Sequence, residues 1–127
     1  MSTQSLSTDT LPSSVPKLNT RGANWAIFSA CFQIAIEAKG KWGHFDGTEP
    51  RPVFTDSPLT ETQADQLAVW EKDEWTARYL LTQCLPDATL VRMQKFLLVA
   101  EKWTAIVQEY MLKGTYAQTD MHRKFME

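Results

Sequence analysis

The chain is expected to be all-α, a compact bundle of about five helices behind a disordered N-terminal leader. Three observations predict it. From Trp25 onward, apolar residues recur at three- and four-residue spacing. Helix-start and helix-stop residues bracket those stretches. Proline-rich, breaker-rich sequence is concentrated in residues 1–16 and 47–59.

Residues 1–16 are rich in Ser, Thr and Pro and are assigned to the leader, with a helical domain over 17–127. Order should begin near Val15–Leu18, in a short extended Val15-Pro16-Lys17-Leu18 segment, because a residue before proline is pushed toward extended geometry. The first helix is read from Asn24, whose side chain can cap it, to Lys39. Trp25, Phe28, Phe32, Ala35 and Ile36 form its stripe, and Gly40 stops it. Trp42 and Phe45 lie on a turn or short helix ending at Asp46-Gly47. Pro50, Pro52 and Pro58 make 47–59 a loop.

The second helix should run from about Thr60 to Leu85, opened by the capping box Thr60-x-x-Gln63. Leu67, Trp70, Ala77, Leu81 and Cys84 mark one face. Glu74 interrupts that face, and its i,i+4 partner Arg78 places it at the boundary. A third helix over Asp87–Leu98 uses Leu90, Met93 and Leu97. A fourth covers Ala100–Lys113, with Trp103, Ile106, Val107 and Tyr110 inward and Gly114 as its stop. Thr115-x-x-Gln118 then opens a fifth helix carrying Met121 and Phe125. No stop signal precedes Glu127, so the natural chain is expected to continue.

Composition narrows function. Of 127 residues, 43% are hydrophobic and 22% charged, with five Trp and six Phe. Each buried aromatic removes about 150–250 Å² from water, so a real core is within reach. The net charge of -2, with Lys and Arg scattered among acids, argues against nucleic-acid binding by this segment. Cys31 and Cys84 stand apart, without metal-knuckle spacing, and read as small buried hydrophobes in a reducing, intracellular, cytoplasmic setting. No secretory signal or membrane-length apolar run is present.

No catalytic set emerges, and no metal or cofactor is expected. His44, in Gly43-His44-Phe45-Asp46, could form a His-x-Asp ligand pair, yet a zinc site needs three or four protein ligands. It is read instead as turn-capping or solvent-facing, and His122, beside Arg123 and Lys124, as a surface residue. Glu71, Asp73 and Glu74, interleaved with Lys72 and Arg78, are read as a solvated helix face. Gly40-Lys41 lacks the frame of a phosphate-binding loop.

The aromatic residues are the informative ones. Trp25, Phe28, Phe32, Trp42, Trp70, Leu81, Trp103, Ile106 and Tyr110 are assigned to the core. Trp75 follows Trp70 by five residues, a rotation of roughly 500°, and so points about 140° away from that face. It is assigned, with Met121 and Phe125, to a possible interaction surface. Met111 and Met126 would add soft apolar area.

The same landmarks resemble the N-terminal, capsid-like region of copia-type LTR-retrotransposon Gag polypeptides. Those open with a Leu and an Asn-Tyr-x-x-Trp-like element, matched here by Leu18 and Asn24-Trp25-Ala26-Ile27-Phe28, with Trp25 in place of Tyr and Phe28 in place of Trp. Gly40-Lys41-Trp42-Gly43-His44-Phe45-Asp46-Gly47 resembles the family's glycine-bounded turn. Trp70-Glu71-Lys72-Asp73, and then Val99-Ala100-Glu101-Lys102-Trp103 with Tyr110, follow in family order. The Pro-containing loop at 50–58 is longer than the family's. The resemblance implies a non-catalytic protein that self-associates into a particle shell, a virus-like particle. The alternative is a repurposed helical module derived from Gag that binds one protein partner.

Overall fold

The computed structural model describes residues 10–126 except Asp56, with side chains through Lys113. Five helices follow one another: α1 (Trp25–Ala38), α2 (Trp42–Asp46), α3 (Glu61–Thr82), α4 (Asp87–Met93) and α5 (Val99–Met126). Among the described residues there is no strand.

Local chemistry sets most boundaries. Gly40 takes φ +72° and closes α1 with paired bonds, Gly40 N–H to Glu37 O and Lys41 N–H to Ile36 O, the left-handed glycine stop that satisfies last-turn carbonyls. Gly47, at φ +83°, ends α2 likewise. Thr60 and Gln63 form both halves of the capping box that opens α3.

The core gathers Phe28, Phe32 and Ile36 of α1, Phe45 of α2, Leu80 and Leu81 of α3, and Trp103, Ile106 and Tyr110 of α5, all buried. Trp103 is its hub. Its indole lies 5.1 Å from the Phe32 ring, 5.6 Å from Trp42, 5.8 Å from Trp25 and 5.9 Å from Phe45. Thr89 of α4 and Tyr110 share a buried hydroxyl hydrogen bond of 2.7 Å. α2, though shortest, packs on α1, α3 and most extensively α5.

Several expectations are corrected. Asn24 does not cap α1 with its side chain. Its ψ of 22° departs from the extended geometry usual at an N-cap. The amide instead ties down the incoming chain, accepting from Asn19 N–H and donating to Lys17 O. Contact with the body begins before Val15, since Leu11 and Val15 already pack on the core and Leu11 N–H donates to Gln83 Oε1. α3 ends at Thr82, a turn short of Leu85, though Cys84 and Leu85 stay buried.

α4 stops at Met93, and Leu97 faces solvent while Phe96 packs on the core. The Met93 carbonyl is taken by Phe96 N–H and by the Lys102 ammonium, so the last turn is satisfied without further helix. Gly114 does not stop α5, which runs unbroken to Met126. An interior glycine costs about 1 kcal/mol relative to alanine, and no proline follows it. The fourth and fifth expected helices are therefore one. The Thr115–Gln118 box, Met121, His122 and Phe125 lie outside the described side chains.

Candidate functional site

Two features stand out from the scaffold: a buried polar cluster joining α2 to α3, and an uncovered apolar surface on α1 and α3.

The cluster centres on Glu74, which is 3% exposed. It lies on the inward face of α3, one turn before Ala77 and two before Leu81, so its carboxylate enters the interior. Oε1 meets His44 Nδ1 at 2.9 Å, and Oε2 accepts from the Val99 backbone N–H at 2.7 Å. Arg78 Nε lies 3.5 Å from Oε2. Val99 opens α5, where the first amides have no helical partner. One carboxylate therefore links α2, α3 and the start of α5.

His44 is equally buried, its ring 5.2 Å from that of Trp70. The turn-capping, solvent-facing reading of His44 and the boundary reading of Glu74 are both overturned. The reason is pairing across 30 residues, which rescues two polar groups that α2 and α3 must otherwise bury alone. Their neighbours repeat the pattern nearer water: Lys41 bonds Asp73 at 3.2 Å, and Arg51 bonds Glu71 at 2.6 Å. Glu71 and Asp73 thus stay at the solvated edge, while Glu74 does not. Trp70, assigned to the core, is half-buried at this edge, donating its indole N–H to Glu49 O beneath the Arg51 guanidinium. Trp25 and Trp42 are also half-buried but pack on the main cluster.

Among the described residues no three His, Cys, Asp or Glu side chains gather as metal ligands. Burial pushes the Cys84 thiol up to about 12, against a weaker lowering by its own backbone, so this sulfur stays protonated at neutral pH.

A second knot joins α4 to α5. Arg92 and Lys113 both hold Glu109. Burial alone would raise the Glu109 carboxyl, but the hydrogen bonds from Arg92 and Lys113 outweigh it and leave it below the usual range. A carboxyl lowered in the folded state adds stability that is complete above its unfolded pKa and fades as pH falls through the folded value. The stability difference between the unaltered chain and Glu109→Gln should therefore shrink toward zero on acidification below the normal glutamate range. Urea midpoints measured at neutral and acid pH check this, and a constant gap would refute it.

The apolar surface is the other feature. α1 carries only Ser29, Gln33 and Glu37 as polar residues apart from Cys31. Phe28, Phe32, Ala35 and Ile36 fill its inner face. Ile27, Ala30, Ile34 and Ala38, three, four and four residues apart, make an outer one. Ile27 is 57% and Ile34 66% exposed. On α3, Trp75 is 66% exposed with the Arg78 guanidinium 4.7 Å over its ring, and Tyr79, one turn on, is also exposed. Met111 and Leu112 of α5 face solvent too. Of these, the sequence points to Trp75 and Met111. The outer stripe of α1 is also legible in the sequence, since a helix apolar all round is itself a signal.

No protein family, curated protein or solved structure matches this chain. Among the described residues, no helix is long and apolar enough to cross a membrane.

Proposed function

We propose that this chain is a Gag-like structural module of the copia retrotransposon type, which associates with copies of itself into a particle shell and performs no catalysis. The observation that carries the reading is α1, a helix apolar on both sides whose outer residues Ile27 and Ile34 are exposed among the described residues. Helices apolar all round are ordinarily buried, and exposed contiguous apolar surface marks association sites. The order of landmarks from Leu18 through Trp42 and Trp70 to Trp103 adds the family resemblance. A shell subunit needs a rigid body and repeated surface contacts, both in keeping with an aromatic hub and an open outer helix.

A second reading, a repurposed module that captures one protein partner, is favoured by Trp75, a large exposed indole already backed by a guanidinium. Aromatic and arginine side chains dominate binding hot spots.

Light scattering across a concentration series separates the two. Under the Gag-like reading, apparent mass rises with concentration. Ile34→Glu abolishes the rise while leaving the circular dichroism spectrum intact, and Trp75→Ala has little effect. A strictly monomeric chain at high concentration, both alone and within a longer polypeptide, would exclude shell assembly. A defined dimer lost on Trp75→Ala would favour the single-partner module.

A further inference from the structure

The C-terminal part of α3, together with α4 and α5, encloses a cleft of about 330 Å³. Leu81, Leu85, Leu90 and Met93 form its apolar walls, and the polar part of the lining is Thr82, Gln94 and two cations, Arg78 and Lys102. A volume of this order lies at the small end of sites that take small organic ligands, which are mostly apolar with a few placed polar groups.

The cations are incompletely matched. Lys102 Nζ donates to Met93 O at 2.9 Å, which uses one of its three N–H groups. Arg78 is ion-paired with Glu74 at 3.5 Å and its guanidinium lies over the Trp75 ring, but its buried Nε makes no hydrogen bond. Burial and then the neighbouring Arg78 charge lower the Lys102 pKa, with Glu74 and Glu101 opposing them. Both carboxylates are already engaged, Glu74 by His44 and Val99 N–H, and Glu101 by Leu98 N–H. Two like charges beside a hydrocarbon wall are relieved by an anion whose remaining atoms are apolar.

We propose that this cleft binds a small free carboxylic acid with an aliphatic tail. Its carboxylate sits between Arg78 and Lys102, and its tail lies among Leu81, Leu85, Leu90 and Met93. The site shares no residue with the outer face of α1 invoked for self-association, and either can fail without the other; Arg78 it shares with the Trp75 surface.

The test titrates octanoate into the full chain, following the methyl resonances of Leu85, Leu90 and Met93 by NMR and the heat by calorimetry. Saturable shifts confined to those methyls are expected. Octan-1-ol should bind about tenfold more weakly, the difference a charge-assisted contact makes, and octylamine should not bind. Lys102→Met should weaken octanoate binding about tenfold, while Lys102→Arg retains it. Should Lys102→Met fail to fold by circular dichroism, the comparison of octanoate with octan-1-ol on the unaltered chain decides alone. Equal binding of the two, shifts spread over the outer helix faces, or no saturable shift at all would overturn the proposal.

Discussion

Trp103→Ala should lower the stability of this domain by about 3–5 kcal/mol, the range for deleting a large buried aromatic side chain. The indole touches Trp25, Phe32, Trp42 and Phe45. These rings come from α1 and α2, so its removal opens a void that no single backbone shift can close. Natural domains are stable by only about 5–15 kcal/mol in all, so the variant should be near unfolding at room temperature. Urea denaturation followed by circular dichroism measures the loss, and Trp103→Phe should recover much of it. A midpoint unchanged by Trp103→Ala would remove the aromatic hub as the organiser of the fold.

Glu74→Ala should cost a comparable amount, about 3–5 kcal/mol, because one partner of a buried pair is then left without the other. His44 Nδ1 and the Val99 N–H both lose their acceptor at once. Glu74→Gln, which keeps the shape and one acceptor oxygen, should cost less. His44→Ala combined with Glu74→Ala should cost less than the two single losses added together, since residues sharing one hydrogen-bond network couple. Strict additivity in that double-mutant cycle would show that the two groups do not depend on each other.

Much of this fold is legible in the sequence, for reasons that differ by element. The ends of α1 and α2 follow from Gly40 and Gly47, whose positive φ is available to glycine without strain. The opening of α3 follows from Thr60 and Gln63, a purely local device. Phe28, Phe32, Trp103 and Ile106 fall on inward faces because period alone decides their side.

What escaped depends on residues far apart. Glu74 reads as a boundary acid because Arg78 stands one helical turn on, at i,i+4. Its real partners, His44 and the Val99 amide, are 30 and 25 residues away. Asn24 carried the right residue type for a cap, but the loop ahead of it competed for the same amide. Gly114 failed as a stop because a stop needs a left-handed turn, and a single weak helix former does not impose one.

The placement of α2 carries a last consequence. Five residues are too few to nucleate a helix unaided, since the first turn is the costly one. Yet this segment packs against α1, α3 and α5 together. Its largest contact is thus with a stretch of chain that lies far downstream. During synthesis Trp42 and Phe45 would emerge well before the helix that receives them, and severing the chain ahead of Val99 would strand both rings. The smallest helix is thus one whose place depends on three neighbours, including the helix that comes last among those described.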